Sequence, residues 1–146
     1  LPAAAALFQA YALSLPIDLA YQDFSAELAS LPGKYAPPHG ALFLARGQTG
    51  EALGCVALRP LAERCCEMKR LYLVPAARGL GLGTALAQTI LSEAARLGYA
   101  EMRLDSLPTM TGALALYDRF GFTPIPAYYD TPIEGTVFLT KRILRK

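Results

Sequence analysis

The feature that most constrains this chain is a strand-like run that ends in a glycine-rich loop and continues as a helix-like segment. Residues 71–75 read Leu-Tyr-Leu-Val-Pro, an apolar run of residues common in strands that a proline ends. Arg78 and three glycines at alternate positions, Gly79, Gly81 and Gly83, come next and lead into an apolar segment with helical periodicity. The order of strand, glycine loop and helix start predicts one fixed local structure, around which the other elements have to pack.

Such a junction is suited to binding an anion. Glycines lack Cβ, so the backbone can adopt left-handed dihedral angles and come close to a ligand. The first N–H groups of a helix have no partners within the helix, and the positive end of the helix dipole lies beside them. With Arg78 as an added cation, the loop predicts a phosphate or diphosphate site, and the alternative is that the glycines only form a tight turn.

Two common phosphate-binding patterns do not fit this loop. A Walker loop requires Gly-Lys-Ser or Gly-Lys-Thr, which the chain lacks. A dinucleotide fingerprint would have its third glycine where Thr84 or Leu86 stands, and it normally begins a domain, whereas about half of this chain precedes the loop. Asp105 follows at about the distance of a ribose-binding acid, which we interpret as coincidence.

The loop resembles the acetyl-CoA-binding motif of the GNAT-type N-acetyltransferases, Arg/Gln-x-x-Gly-x-Gly/Ala, which here reads Arg-Gly-Leu-Gly-Leu-Gly over residues 78–83. Residues 113–122, Ala-Leu-Ala-Leu-Tyr-Asp-Arg-Phe-Gly-Phe, are similar to the second coenzyme motif of that family, in which a helical tyrosine precedes Gly-Phe. Both motifs occur in the family's order and at about its spacing. The resemblance implies an enzyme that uses acetyl-CoA as its cosubstrate, needs no metal and acetylates an amine.

The composition indicates one globular domain over residues 1–146. The chain is 53% hydrophobic and 18% charged, and this composition indicates a dense core and excludes a disordered chain. Its net charge is +2. Basic residues form no patch beyond a short C-terminal group, so we expect no nucleic acid partner. No run approaches the length of a membrane span, and the N-terminus has no basic region of a signal peptide, so we expect no membrane partner.

The cysteines indicate a reducing compartment. Cys55, Cys65 and Cys66 are odd in number, and the adjacent pair cannot bridge without strain. His39 is the only histidine, so no spacing fits a zinc site. We therefore expect reduced cysteines in or near strands and a cytoplasmic protein, while homodimer formation stays open.

Periodicity and turn residues divide the chain into helices and strands. The predicted helices are 1–15, 23–31, 81–97 and 109–120, and the predicted strands are 41–45, 53–61, 65–74, 101–106, 122–125 and 136–143. Three consecutive strands with short turns predict an antiparallel meander, and the helix before 101–106 predicts a right-handed parallel crossover. The predicted fold class is α/β (α+β, with a mixed sheet), a GNAT-like single domain with helices on both faces.

The family resemblance assigns coenzyme contacts to two neighbouring segments. In family members the strand before the glycine loop separates from the next strand, and its free backbone groups bind the pantetheine arm. By resemblance, that role falls on Leu71, Tyr72 and Leu73. The residues implied to hold the diphosphate are Arg78, Gly79, Leu80, Gly81, Leu82, Gly83 and Thr84.

Tyr117 is the candidate general acid. A phenol has an unperturbed pKa of about 10, so it stays protonated at neutral pH and can donate to a departing thiolate. Family members commonly use a tyrosine at this place as the acid, and the alternative is a core aromatic residue with a satisfied hydroxyl. The family often has an asparagine about two helical turns earlier, where Met110 stands. Ser106 or Thr109 could supply that hydrogen bond, or it is missing.

Glu67 is the leading candidate for the catalytic base. It lies on the strand that enters the site, where some family members have a catalytic glutamate. Strand alternation predicts that it shares a face with Lys69, Leu71 and Leu73. The alternative is a surface carboxylate paired with a neighbouring cation. Asp105, which ends the following strand, is the rival base, and many family members use water alone.

The acceptor side is the part that the sequence determines least. In the family, the first helices and a late loop line it. Here the early segment has Tyr21, Gln22, Asp23, Phe24, Tyr35 and His39, and the late loop has Tyr128, Tyr129 and Asp130. We predict acceptor contacts from Phe24, Tyr128, Tyr129 and Asp105, since aromatic and acidic groups suit an amine. The alternative is that the tyrosines only hold a proline-flanked loop.

These observations predict an N-acetyltransferase that moves an acetyl group from acetyl-CoA to a primary amine of a small molecule or protein. Direct attack in a ternary complex is expected, because no cysteine is placed as a nucleophile with a histidine partner. Arg64, Lys69 and Arg70 favour an acceptor that has a carboxylate. The alternatives are a non-catalytic acyl-CoA-binding or regulatory domain and a nucleotide-binding protein.

Overall fold

The structure of the protein is a computed structural model that describes residues 2–15 and 24–143. Its helices are α1 (Pro2–Ser14), α2 (Phe24–Ser30), α3 (Leu82–Arg96) and α4 (Thr111–Arg119), with short 3-10 turns at Gly33–Tyr35 and Pro75–Ala77. Its strands are β1 (Ala41–Arg46), β2 (Ala52–Ala62), β3 (Cys65–Leu73), β4 (Glu101–Ser106), β5 (Thr123–Pro124) and β6 (Val137–Arg142). The predicted elements are present, with ends that differ by about one or two residues.

The strands form one mixed sheet in the order β1-β2-β3-β4-β6-β5. The pairs β1/β2, β2/β3, β4/β6 and β5/β6 are antiparallel, and β3/β4 is parallel. The parallel pair is joined through α3, because parallel neighbours require a crossover connection. The predicted meander and the predicted parallel crossover are therefore both confirmed.

Helices pack on both faces of this sheet, as predicted. The larger apolar cluster lies on the side of α3 and α4 and includes Val56, Met68, Ile90, Met102, Leu104 and Tyr117. The smaller cluster lies on the side of α1 and includes Leu7, Phe8, Tyr35, Cys55 and Ala57. In the part of the chain that the structure describes, none of the helices has both the length and the apolar character of a membrane span.

A bulge interrupts β3 in its second half. Cys55 pairs with Tyr72, and Ala57 pairs with Lys69, so β3 has one residue more than β2 between these two pairs. Within the bulge, Arg70 has a φ of 62°, in the left-handed region that residues with a side chain seldom adopt. An extra residue of this kind bends the strand and re-aims the side chains that follow.

The bulge changes which side chains share a face. Leu71 and Leu73 pack with the larger cluster on the α3 side, and Tyr72 packs with the smaller cluster on the α1 side. Glu67 and Lys69 alternate with the core residues of the larger cluster and so lie on the α1 side. The prediction that Glu67, Lys69, Leu71 and Leu73 share one face is wrong, because regular alternation ends at the bulge.

Candidate active site

A gap opens between the two parallel strands in the middle of the sheet. β3 and β4 pair only at Cys65 with Glu101, Cys66 with Met102 and Glu67 with Arg103. Beyond Glu67, β3 keeps β2 as its partner, while β4 keeps β6 up to Ser106. Residues 71–73 therefore have no strand partner on the β4 side, and their backbone groups on that side face the gap.

The glycine loop follows β3 after the short 3-10 turn at Pro75–Ala77, near the end of β3 that has no partner on the β4 side. Gly79 and Gly81 have φ of 83° and 80°, so both are in the left-handed conformation that glycine allows. Gly81 precedes the first residue of α3, and its carbonyl accepts the N–H of Ala85 at 3.1 Å. The amides of residues 82–84 therefore have no acceptor within the helix, and they lie at the positive end of its dipole.

Arg78 folds back onto the strand that precedes the loop. Its Nε and Nη2 donate to the carbonyl oxygen of Leu73 at 3.2 and 3.1 Å, and its guanidinium carbon lies 5.8 Å from the centre of the Tyr72 ring. The Arg78 side chain is exposed. In this position the Arg78 side chain connects the loop to the end of β3, and it occupies the Leu73 carbonyl as a hydrogen-bond donor.

Three elements meet tightly beneath the loop. A Cβ on Gly83, in the first turn of α3, would contact side-chain atoms of Leu73 and of Leu116 in α4 at 3.6 and 3.7 Å. A Cβ on Gly54 in β2 would approach the carbonyl oxygen of Tyr72 to 2.8 Å, which is closer than real Cβ atoms come. The end of β3 is thus held between α3, α4 and a strand position that only glycine fits.

Tyr117 lies on α4 in the larger core cluster. It is 6% exposed, and its ring packs edge to face on Phe122 at 5.8 Å between centres. Burial raises the pKa of Tyr117 above its usual value of 10.0, and the charges of Tyr11 and Asp105 act in the same direction. A phenol in this setting keeps its proton at neutral and moderately alkaline pH.

Glu67 is buried and already hydrogen-bonded through both carboxylate oxygens. Arg59 Nη1 lies 3.0 Å from Oε1, and the hydroxyl of Tyr128 donates to Oε2 at 2.6 Å. The Glu67 side chain is 4% exposed. It is therefore not a surface carboxylate, and its partners are Arg59 and Tyr128, which come from the neighbouring strand and the late loop.

Asp105 is half-buried on β4, two residues beyond the last residue that pairs with β3. The hydroxyl of Tyr129 donates to Oδ2, in a short hydrogen bond. The structure gives the other oxygen, Oδ1, no hydrogen-bond partner within residues 2–15 and 24–143. Among the described residues, Asp105 thus differs from Glu67 in having one carboxylate oxygen without a hydrogen-bond donor.

The two tyrosines of the late loop lie over this region as an aromatic group. Tyr128, Tyr129 and Phe138 pack edge to face with ring centres 5.2 to 5.6 Å apart. The hydroxyl groups of Tyr128 and Tyr129 donate to Glu67 and Asp105, respectively. Tyr128 and Tyr129, two of the residues predicted for the acceptor side, therefore each contact one of the two candidate bases, and the same contacts also hold the loop to the sheet.

Of the cations that favoured an acceptor carboxylate, Arg70 has its side chain in an ion pair. Arg70 is paired with Glu27 on α2, through Nε at 2.8 Å and Nη2 at 3.0 Å. Arg64 lies in the turn before β3, and its carbonyl accepts the amides of residues 100 and 101, at the closed end of the β3/β4 pair. Burial lowers the pKa of Lys69, against the opposing charges of Glu67 and Asp105.

Other predicted residues divide between those near the site and those away from it. Phe24, the first residue of α2, lies under the Arg70 guanidinium at 5.3 Å. Tyr21, Gln22 and Asp23 lie outside the described residues. His39 is a loop residue, whose carbonyl accepts the hydroxyl of Tyr99 at 2.7 Å.

Met110 stands at the asparagine position of the family, and Ser106 and Thr109 stay predictions for the hydrogen bond that the asparagine would make. Met110 stands before α4 with no side-chain hydrogen bond to the helix. Ser106 is buried and its hydroxyl donates to the carbonyl of Leu107 at 3.2 Å, and Thr109 is exposed.

The three cysteines are free and buried, in β2 and β3, as predicted.

Glu27 and Arg59 were not predicted from the sequence. Both pair with residues of β3. Glu27 is 43 residues from its partner Arg70, and Arg59, on the neighbouring strand β2, is 8 residues from its partner Glu67. A charged residue in the middle of an otherwise apolar segment is the one signal that could have indicated them, because such residues are rarely buried without a partner.

Comparison with known proteins agrees with this architecture. The profile of the acetyltransferase (GNAT) family matches residues 5–122. An uncharacterized N-acetyltransferase of Schizosaccharomyces pombe is 45% identical over 134 residues, which cover 91% of this chain and 82% of that protein. Two solved structures show the same fold at lower identity.

The first solved structure is an acetyltransferase of the GNAT family from Staphylococcus aureus, with a TM-score of 0.80, 17% identity, and coverage of 96% of this chain and 93% of that one. The second is a GNAT family acetyltransferase from Elizabethkingia anophelis with acetyl-CoA bound. It has a TM-score of 0.62, 23% identity, and coverage of 77% of this chain and 81% of that one. On the family profile and the 45% identical relative, the chain belongs to the GNAT acetyltransferase family.

Proposed function

We propose that the protein transfers the acetyl group of acetyl-CoA to a primary amine of a small molecule or protein, by direct attack in a ternary complex. The observation that carries the proposal is the gap between β3 and β4, with the free amides of the α3 N-terminus at its mouth. The family membership and the acetyl-CoA bound to the Elizabethkingia relative support the choice of donor.

The residues present fit a coenzyme with an extended arm and a diphosphate. Residues 71–73 have no strand partner along the gap, and apart from the Leu73 carbonyl, which Arg78 occupies, their backbone groups there suit the amide groups of a pantetheine arm. The left-handed Gly79 and Gly81 have nothing within 4 Å of a Cβ position, so a ligand can approach the backbone there. The amides of residues 82–84 would hold the diphosphate, with Arg78 as the nearby cation.

Tyr117 is proposed as the general acid. When the amine nitrogen forms its bond to the acetyl carbon, the carbon–sulfur bond breaks and the sulfur leaves as a thiolate that needs a proton. Burial raises the pKa of the Tyr117 phenol, so the proton is present at the working pH. The nitrogen loses a second proton as it becomes the amide, and that proton, passed through solvent, restores the phenolate to the phenol.

A carboxylate of the pair Glu67 and Asp105 is proposed to accept the proton that the acceptor ammonium must lose before it attacks. Glu67 already accepts a hydrogen bond on each oxygen, and Asp105 has Oδ1 without a partner among the described residues. This difference favours Asp105 as the group that meets the amine directly. Glu67, through Tyr128, would hold the aromatic loop beside it.

The test is to measure binding and turnover separately on the same preparation. Calorimetry with CoA and acetyl-CoA should give a heat of binding, and a thiol-release assay with a panel of primary amines should give steady turnover. ATP and NAD in the same calorimetry should give none. Turnover should fail with the tertiary amine of matched structure, which has no N–H to lose.

A non-catalytic acyl-CoA-binding or regulatory domain is the second candidate, since Met110 stands at the family's asparagine position. It predicts thermal stabilisation by CoA without release of thiol for any amine. A nucleotide-binding protein predicts stabilisation by ATP or NAD instead. Absence of any heat with CoA, on protein shown to be folded by circular dichroism, would end the acetyltransferase proposal.

A further inference from the structure

Arg70 combines a strained backbone with a buried charge. Its φ of 62° is left-handed, and it is 5% exposed in the bulge of β3. Residues with a side chain hold such a conformation only where their surroundings enforce it, and these positions concentrate at functional sites. The conformation of Arg70 therefore indicates that its surroundings have a functional role.

Glu27, on α2, holds the guanidinium of Arg70 at two points. Glu27 accepts from Arg70 Nε at 2.8 Å on one oxygen and from Nη2 at 3.0 Å on the other, which is the two-point geometry of an arginine–carboxylate pair. The side chains are 4% and 3% exposed. Phe24 lies against the guanidinium at 5.3 Å, and Lys34 Nζ reaches Glu27 at 3.3 Å.

A second contact holds the backbone of Arg70. Its carbonyl oxygen accepts the thiol of Cys55, in β2, at 3.2 Å. Side chain and backbone are thus fixed by two different elements, α2 and β2. Neither contact is part of a regular helix or strand ladder, so both serve the irregular conformation at this one residue.

The bulge lies where the coenzyme arm is proposed to enter the sheet. β3 loses β4 as its partner after Glu67, and residues 71–73, directly after the bulge, have the unpaired backbone groups. The extra residue decides which side Leu71 and Leu73 face, as their packing with the α3 cluster shows. Whatever holds Arg70 left-handed therefore also fixes the strand end that the coenzyme meets.

We propose that Glu27, acting through Arg70, is a positioning residue for the coenzyme strand. The ion pair keeps the bulge in its left-handed form, and the bulge keeps residues 71–73 in register with the gap. This inference rests on the proposed function, because it takes the coenzyme as the ligand of that strand. It also assigns Arg70 to the scaffold of the site, away from any acceptor carboxylate.

The test uses Glu27→Gln and Arg70→Gly, which remove the pair from either end. Glycine can adopt a φ of 62° without strain but is not confined to it, so Arg70→Gly permits the bulge without holding it. We expect that each variant raises the Kd for CoA about tenfold, because the bulge is no longer held. The double variant should be no weaker than either single one.

The readouts separate positioning from general stability. Each Kd is measured by calorimetry at a temperature where circular dichroism shows the variant folded. In turnover, KM for acetyl-CoA should rise about tenfold while kcat at saturating coenzyme stays within about twofold. The matched control is Glu93→Gln, which removes an exposed two-point pair with Arg96 on α3, and should leave Kd and KM unchanged.

Arg70→Lys keeps the test decisive if Arg70→Gly does not fold, since it keeps the charge and loses the two-point geometry. An intermediate rise in Kd supports the proposal. Folded Glu27→Gln and Arg70→Lys variants with the wild-type Kd would overturn it. A wild-type protein that binds no CoA would overturn the proposed function, and so would be told apart from a failure of the ion pair alone.

Discussion

The proposed coenzyme side and the proposed acceptor side of the site are built in different ways. The proposed coenzyme side comes from one continuous stretch, residues 71–84, and presents mainly backbone groups on left-handed glycines and a helix N-terminus. The proposed acceptor side comes from side chains that meet across 24 and 61 residues of chain, in the pairs Tyr129–Asp105 and Tyr128–Glu67.

This difference has a consequence for how each side can change. A backbone site depends on conformation, so most substitutions outside its glycines leave it in place. A site of paired side chains depends on each partner, because a buried group that loses its partner costs free energy. The coenzyme side is thus suited to one constant ligand, and the acceptor side can be altered one pair at a time.

The largest expected effect comes from Tyr117→Phe, which removes a proton donor without changing the shape of the core. We expect kcat to fall by about 10²–10⁴-fold, the usual contribution of general acid catalysis, with the Kd for CoA unchanged. Steady-state thiol release and calorimetry measure the two quantities. The matched control is Tyr99→Phe, another buried tyrosine, whose hydroxyl donates to the carbonyl of His39. Equal turnover in both variants would remove Tyr117 from the mechanism.

The same acid predicts the alkaline side of the pH–rate profile. Tyr117 acts in its protonated form, and burial raises its pKa above the usual 10.0, so activity should persist to higher pH than an exposed phenol would allow. The fall in kcat should therefore lie above pH of about 10. A fall near neutrality that Tyr117→Phe abolishes would contradict a buried, protonated donor.

The second effect compares the two carboxylates. The kcat of Asp105→Asn should be about tenfold or more lower than the kcat of Glu67→Gln. The reason is that Asp105 has an oxygen without a hydrogen bond from the described residues, while both oxygens of Glu67 are hydrogen-bonded. Glu67→Gln should instead lower the melting temperature more, since it leaves Arg59 without its ion-pair partner. Kinetics and thermal melts on both variants measure this. The reverse order in kcat would assign the base to Glu67.

The glycine loop and its flanking strand and helix could be predicted from the sequence because their signals are local. Three glycines, a preceding strand and a following helix lie within one stretch, and the structure has each of them in the predicted order. The antiparallel meander and the parallel pair could be predicted for the same reason, since short turns require antiparallel neighbours and a helical connection permits a parallel pair. The notable miss here is the face of Leu71 and Leu73, which the bulge reverses.

The contacts of the proposed acceptor side, and the Glu27–Arg70 pair, could not be predicted in the same way, since they are set by tertiary packing. Glu27 stands in a short helix with no motif around it, and only the fold brings it to Arg70. Asp105 and the tyrosines were singled out as separate candidates, but their mutual hydrogen bonds depend on how the late loop returns over β4. The bulge itself follows from pairing with β2, which no local pattern shows.

A smaller effect is expected from Gly81→Ala, which tests whether the coenzyme side depends on backbone conformation. A left-handed residue with a side chain costs about 1–2 kcal/mol, so the loop should relax and the Kd for CoA should rise about tenfold. Gly50→Ala is the matched control. Gly50 has a φ of 89° and, like Gly81, nothing within 4 Å of a Cβ, but it lies in the turn between β1 and β2. Equal losses of affinity would point to general destabilisation.

The smallest effect is expected from Arg78→Ala, because Arg78 is exposed and water competes for its charge. If Arg78 serves as a cation for the diphosphate, the Kd for CoA should rise about fivefold at low salt, and the difference should shrink at high ionic strength. If its main contribution is the pair of hydrogen bonds to the Leu73 carbonyl, the loss should be similar at both salt concentrations. Arg96→Ala, at the other end of α3, controls for the loss of an exposed arginine, and calorimetry at two salt concentrations decides between the cases. A salt-independent loss would place Arg78 with the backbone scaffold of β3, and the coenzyme side would then bind its anion through amides alone.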